Sequence, residues 1–586
     1  MIFLSLLRPV WYNRVRVENE QGGRWLTWDS LLVKKRLARE RGTVFKDWGG
    51  KLAIALVYPN SYYVGMSSLG FQTVYSLFNA YPDVVCERAF VGDRGRVRDE
   101  GRGARNLISL ESRRPLGDFA VVAFSVSYEL DYFNVVATLR AAGIPPVAQE
   151  RDESHPLVIA GGACLTANPE PLAAICDAIA IGEAEPMVPA LLWALRDKIA
   201  SPRDDCRRRL ALVPGLYVPV LTEVSYNPDG TVCRLGSSST SPSPFSPVRR
   251  RWAHDLQEFA TTSAITTPDT EFGDMYLMEV SRGCARGCRF CLAGYCFRPL
   301  RERSLERLLA QAREGLGFGR RIGLVGAATS DYSRMDELAS GLRQMGARIA
   351  VSSLRVDSLS ETLVKSLVES GARTLALAPE AGSERLREAI HKGVSDAQVV
   401  QAAELCARFG VKQLKLYFMI GLPGEESLDV EAIANLAQEV MARSGSQVVV
   451  SVAPFVPKAQ TAFQWAPMAA LPVLEERLEA LRQSLGRRGI ATKAESPAWS
   501  AVQGVLARGD RRVGHVLLMM TANSLAAWAR AWAESGLSQD FYLYRHRPVD
   551  EVLPWAVVDS GVPIGFLRRE YRLGVEGREG NRIEPA

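Results

Sequence analysis

Three cysteines, Cys284, Cys288 and Cys291, stand at C-x3-C-x2-C spacing in the stretch EVSRGCARGCRFCLAGYCFRPLRERS, Glu279 to Ser304. A strand-like run, Met275 to Val280, precedes them, so they fall on a loop leaving a strand. Gly283, Ala285 and Gly287 are small enough for that loop to curl until three sulfurs approach one point. A four-iron cluster ordinarily takes four thiolates. Three would leave one iron open, and an open metal position is where chemistry occurs. The alternative is a zinc knot with Cys296 as fourth ligand. Zinc motifs usually pair two short Cys or His units across a longer gap, which one compact triad matches poorly.

The elements that must carry this loop follow from composition and pattern. A chain of 586 residues should hold two to four domains. Hydrophobic content of 47% and charged content of 23% are ordinary for a globular protein. The net charge of +6, from 71 basic and 65 acidic residues, does not demand nucleic acid. Arginine runs such as Arg207 to Arg209 and Arg249 to Arg251 read as solvated surface. Ten cysteines without a regular framework argue for reduced thiols, and an iron–sulfur cluster fits a reducing cytoplasm. The start, MIFLSLLRPVW, lacks the basic region and cleavage site of a signal peptide, and no apolar stretch approaches a membrane span.

Residues 1–45 read as an arm, with Trp11, Trp25 and Trp28. Residues 46–200 read as a doubly wound parallel sheet. Its strands are Leu52 to Tyr58, Val84 to Phe90, Phe119 to Val126, Leu157 to Ala160 and Ala178 to Ile181. Such sheets bind ligands beyond the carboxyl ends of their strands, where Gly65, Ser125, Ser127, Gly161, Gly162 and Gly182 fall. Taken singly, the glycines are tight-turn residues; taken together, they would let a backbone approach a flat or phosphate-bearing ligand. Residues 201–269 form a linker region that includes SSSTSPSPFSPVRRR. In 270–455, Met275 to Val280 is followed by strands at Ile322 to Gly326, Arg348 to Ser352, Thr374 to Ala378, Leu414 to Ile420 and Gln447 to Ala453. Six β/α units without a nucleotide fingerprint suggest a partial (β/α)6 barrel with its function on the loops after the strands. Residues 456–586 read as helical, with Leu474, Leu478, Leu481 and Leu485 forming an amphipathic stripe. The tail EGREGNRIEPA reads as disordered, the tryptophans Trp499, Trp528, Trp532 and Trp555 as core, and the cysteines outside the stretch as core too.

The triad, with Phe290 just before its third cysteine, resembles the signature of radical S-adenosylmethionine (SAM) enzymes. APEAGSERLR (Ala378 to Arg387), LKLYFMIGLPGE (Leu414 to Glu425), APFVPKAQTAFQW (Ala453 to Trp465), YELDYFNV (Tyr128 to Val135) and LVIAGG (Leu157 to Gly162) resemble the cobalamin-binding-domain radical SAM proteins. The resemblance implies a 4Fe-4S cluster on Cys284, Cys288 and Cys291, with SAM on the open iron. It implies SAM contacts at Phe290, Ser352, Arg355, Glu380, Ser383 and the Ile420–Gly421 backbone. It further implies cobalamin on the N-terminal sheet, although the usual D-x-H-x-x-G reads Asn60-Ser61-Tyr62-Tyr63-Val64-Gly65 and lacks a histidine. The expected reaction is radical methyl transfer to an unactivated carbon of a small molecule, with flavodoxin or ferredoxin as electron donor. The rivals are a methylthiotransferase-like RNA modification and a cobalamin-free radical rearrangement or cyclisation. A non-enzymatic metal scaffold is a fourth reading.

Overall fold

A computed structural model describes residues 30–91, 107–196, 201–241 and 244–575. The first 29 residues of the arm, with Trp11, Trp25 and Trp28, and the tail from 576 lie outside the described residues.

The N-terminal sheet has strands β1 (Leu52–Tyr58), β2 (Val84–Phe90), β3 (Val121–Ser125), β4 (Leu157–Gly161), β5 (Ala178–Ala180) and β6 (Leu216–Tyr217) in the order β2-β1-β3-β4-β5-β6. β1 to β5 pair in parallel, as their continuous apolar runs require when helices cover both faces. β6 comes from the segment read as linker and adds antiparallel to β5. The chain order reverses between β1 and β3, so the switch point lies at their carboxyl ends. The rest of that segment is also structured: a hairpin of β7 (Thr222–Tyr226) and β8 (Val232–Ser237), then β9 (Val248–Arg249).

The second sheet starts with β10 (Tyr276–Glu279). Next come β11 (Ser281–Arg282) and β12 (Arg301–Glu302), a short antiparallel pair that closes the base of the cysteine loop. It continues with β13 (Arg321–Val325), β14 (Arg348–Val351), β15 (Thr374–Glu380), β16 (Gln413–Ile420), β17 (Gln447–Pro454) and β18 (Ala491–Ala494). β10, β13 and β14 pair in parallel, as do β15 to β18, and the parallel bridge Leu354–Leu377 joins the two groups. The barrel is open, and β18 is a strand beyond the six expected.

β16 shows which side is hollow. Leu414, Leu416, Phe418 and Ile420 are fully buried, and they share a core with Val399, Ala403, Ile433 and Ala437 of the covering helices. Lys415, Tyr417 and Met419, on the opposite face, are only half-buried. Period-two alternation thus sets a packed outer face against a solvent-reached inner one.

The C-terminal region is mostly helical, with Leu471–Arg487, Pro497–Arg508, Arg511–Met519, Leu525–Ser535 and Ile564–Val575. It returns to the first half through β19 (Val558–Asp559), which pairs with β9. Leu474, Leu478, Leu481 and Leu485 are buried, as are Trp528, Trp532 and Trp555, while Trp499 is half-buried. Cys86, Cys164, Cys176, Cys206 and Cys406 are buried. Cys233 is exposed, because β8 belongs to a two-stranded hairpin without a covering layer.

Candidate active site

The cysteine loop leaves β10 at the carboxyl edge of the barrel sheet. Gly283, with φ of 88°, opens it; a Cβ there would lie 2.4 Å from Phe297 O and 2.5 Å from Pro299 O. Cys288 is buried, and Cys284 and Cys291 are partly so. Arg286 N approaches Cys284 Sγ at 3.5 Å, and Cys291 N donates to Cys288 O at 3.1 Å. Cys291 then heads the helix Leu292–Cys296. Burial, then the neighbouring Cys288 sulfur, pushes the Cys291 thiol up to about 11. Cys296 is buried beside Arg250 in the base of the loop. Phe290 is half-buried against the apolar cluster that holds Tyr295, Phe463 and Trp465. Among the described residues, no group of three or more His, Cys, Asp or Glu side chains could hold a single metal ion. Three neighbouring thiols on one glycine-hinged loop are the donor set a wider iron–sulfur cluster takes, so these residues fit that group.

A buried ion-pair network fixes the base of the loop. Arg282 reaches Glu279 at 2.9 Å, Glu185 at 2.7 Å and Glu183 at 2.8 Å. Arg301, its partner across the β11–β12 ladder, meets Glu183 at 2.7 Å. Glu183 and Glu185 follow β5, so the N-terminal sheet grips the loop directly. Burial pushes the Glu183 carboxyl up, but Arg301 and Arg282 outweigh it and hold the group below the usual carboxylate range.

The following strand ends converge on the same mouth. Arg286 bonds Asp331 at 2.8 Å and Asp357 at 3.0 Å. Arg355 pairs with Asp357 at 3.0 Å, and its backbone N–H donates to Ser330 Oγ at 3.2 Å. Ser352 is half-buried after β14. Glu380 ends β15 at a break in register, with φ of 75°, a left-handed conformation that is uncommon for a side chain of this size. It is buried, and Lys392 Nζ lies 3.3 Å from its Oε1.

Other expected contacts are already occupied by the protein. Ser383 caps the helix Glu384–Ala389, accepting from Leu386 N and donating to Asp429. Ile420 O accepts from Phe455 N at 2.8 Å. Gly421 N donates to Glu425 Oε2 at 2.5 Å. Gly421 has φ of 81°, and its Cβ would strike Leu474 at 2.6 Å, so its own helix layer explains the glycine.

The N-terminal glycines divide in the same way. At Gly65 a Cβ would fall 2.5 Å from the Phe90 ring, at Gly162 2.0 Å from Val126 O, and at Gly182 2.0 Å from Arg251 O. Close approach within the chain, rather than to a ligand, accounts for all three. Ser125, Ser127 and Gly161 are half-buried at the carboxyl ends of β3 and β4, and a Cβ at Gly161 would lie 3.3 Å from that of Ala180, a milder approach than at the other three. They remain reachable from solvent at the carboxyl edge of the sheet. In the loop after β1, Tyr62 is turned onto Glu40 and Tyr63 onto Glu271. His155 lies before β4, at its amino end, 2.8 Å from Asp152. Lys458 and Glu129 form a buried pair at 2.7 Å where the carboxyl edges of the two sheets meet. Sequence reasoning missed Lys392, Glu425, Lys458 and the Glu183–Arg282–Arg301 network.

Residues 278–437 match the radical SAM superfamily, and residues 70–219 match the N-terminal domain of radical SAM proteins. The chain is a radical SAM protein. It is 28% identical over 466 residues to the uncharacterized protein MJ0966 of Methanocaldococcus jannaschii, covering 79% of this chain and 90% of that one. It is 28% identical over 233 residues to the tRNA-2-methylthio-N(6)-dimethylallyladenosine synthase of Cereibacter sphaeroides, covering 38% of this chain and 52% of that one. The chain thus spans about half the length of that relative. The solved radical S-adenosylmethionine methyltransferase TsrM of Kitasatospora setae, with cobalamin and a [4Fe-4S] cluster bound, is similar at 15% identity and a TM-score of 0.44. That likeness covers 69% of this chain and 75% of TsrM. Among the described residues, no helix is long and apolar enough to cross a membrane.

Proposed function

We propose that this radical SAM protein is an enzyme that cleaves SAM reductively at a 4Fe-4S cluster held by Cys284, Cys288 and Cys291. The observation that carries the reading is the position of the triad: a glycine-hinged loop at the carboxyl mouth of a parallel sheet, facing Glu380, Arg355 and the half-buried inner face of β16. When bound, such a cluster passes one electron to SAM, which gives methionine and a 5'-deoxyadenosyl radical. The chain's own residues bind and orient. Glu380 offers a carboxylate to the SAM ammonium, and Arg355 a guanidinium to its carboxylate. The electron comes from an external low-potential donor of the flavodoxin or ferredoxin kind.

Ser125, Ser127 and Gly161 would hold cobalamin at the edge of the N-terminal sheet. Cobalamin, when bound, relays a methyl group from SAM to carbon, so methyl transfer to a small molecule is the reading we favour. TsrM, a methyltransferase with both cofactors bound, supports it by its description. The tRNA methylthio synthase among the relatives keeps RNA modification as the second reading.

The test is anaerobic reconstitution with iron, sulfide and cobalamin, followed by iron analysis and SAM cleavage under dithionite. Cys284→Ala, Cys288→Ala and Cys291→Ala should each lose the cluster and SAM cleavage, whereas Cys296→Ala keeps both. Equal iron loss in Cys296→Ala and Cys288→Ala would sink the three-ligand site. A protein that takes up zinc and leaves SAM intact would move the reading to a metal scaffold.

A further inference from the structure

One short segment grips the cysteine loop on both sides of Cys288, and it ends in a buried cation. The helix Glu384–Ala389 runs into Ile390, His391 and Lys392. Arg289 N donates to Ile390 O at 3.0 Å, and Arg289 Nη1 reaches Ala389 O at 2.7 Å. His391 Nδ1 lies 3.2 Å from Gly287 O. The neighbours of Cys288 in the chain, Gly287 and Arg289, are therefore both tied to the residues just before Lys392. His391 has φ of 56°, a left-handed conformation that is uncommon for such a residue and persists where the surroundings impose it.

Lys392 follows with its side chain 4% exposed and its ammonium 3.3 Å from Glu380 Oε1. Arg355 Nη2 reaches Lys392 O at 3.4 Å, which joins the three residues into one unit. Burying an ammonium is costly unless a partner offsets it, and a single carboxylate often does no more than balance that cost. A lysine here therefore points to a use beyond stability. Arg355 in turn shares Asp357 with Arg286 of the cysteine loop, each at 3.0 Å, so the Lys392 unit is tied to that loop by side chains as well as by backbone.

We propose that Lys392 is a positioning residue for the cluster site: it holds Glu380 in place and supplies the positive charge that makes the cluster easier to reduce. This rests on the reading of the triad as a cluster site. A four-iron cluster on three thiolates is already anionic and gains a further negative charge when it accepts an electron. Glu380 alone would oppose that step. Lys392 is itself buried, and a buried cation offsets a nearby negative charge more strongly than one in bulk solvent; the charge environment is one of the levers on cluster potential.

The experiment is a dithionite redox titration of the iron-loaded full chain, followed by electron paramagnetic resonance of the reduced cluster. Lys392→Met should shift the midpoint to more negative potential at wild-type iron content. Glu380→Gln should shift it the other way, the double variant should lie near wild type, and Lys392→Arg should match wild type. A purely structural lysine would leave the potential of loaded protein unmoved, and that result in Lys392→Met overturns the inference. If Lys392→Met does not load, Glu380→Gln and Lys392→Arg decide: an unmoved Glu380→Gln, or a Lys392→Arg shifted away from wild type, overturns it equally. Wild-type protein that binds no iron would overturn the cluster reading itself, and is distinguishable because no variant is needed to see it.

Discussion

Gly283 sets the geometry from which the first cysteine departs. Its φ of 88° is strained for any L side chain, and a Cβ would meet two backbone carbonyls that cannot move alone. Gly283→Ala should therefore destabilise the chain by roughly 1–3 kcal/mol and lower its iron content. Gly486→Ala is the control, because that glycine is helical with nothing within 4 Å of a built Cβ. Iron per chain and thermal melting of both variants check this, and a fully loaded Gly283→Ala protein would show that the hinge is not needed. The triad was legible because its spacing is local. Lys392 was not: it lies far along the chain from Cys288, and a lone lysine in a turn carries no pattern.

The turn after β16 shows how an element end can be tuned by burial. Glu425 accepts from Gly421 N and pairs with Arg477 at 2.6 Å. Burial nevertheless raises its carboxyl to about 7, against the opposing pull of the Gly421 N–H and Arg477. The folded state then holds a proton that the unfolded state, with its ordinary value of 4.5, has released. Stability is lost as pH rises from about 4.5 through 7, by up to roughly 3 kcal/mol. Glu425→Gln keeps an acceptor for Gly421 and cannot ionise. Its melting temperature relative to wild type should rise between pH 5 and pH 8, and an unchanged difference across that range would show that Glu425 is ionised throughout. The strands that carry these turns were legible because β1 to β4 and β13 to β17 are apolar runs of useful length. β18 was not, since Ala491–Ala494 is a half-exposed edge strand with Lys493 in it, and edges favour charge. β6 was too short to stand out, and the Glu183–Arg282 contact joins residues far apart in the chain with no shared spacing.

At the scale of the whole molecule the two sheets meet carboxyl edge to carboxyl edge, and the C-terminal helices close the joint. Glu129 follows β3, Lys458 follows β17, and Gln503 lies on the helix Pro497–Arg508. Glu129 bonds Lys458 at 2.7 Å and Gln503 at 2.9 Å, all three being buried. Asn168 adds bonds to Ala507 O and Gly509 O. Arg511 pairs with Glu170 at 2.9 Å, so the same helices also hold the loop after β4. The N-terminal sheet is thus fixed over the mouth that presents the cysteines, which is what a reaction shared between two cofactors would require. Removing one member of a buried pair leaves an uncompensated charge and costs about 3–5 kcal/mol, whereas removing both charges is often close to neutral. Lys458→Met and Glu129→Gln should each lower the melting temperature and expose the segment between the sheets to protease, and the double variant should recover most of the loss. Single variants that melt with wild type would mean that the joint is held by its apolar contacts, and a double variant no better than either single would mean that the two charges do not act as a pair.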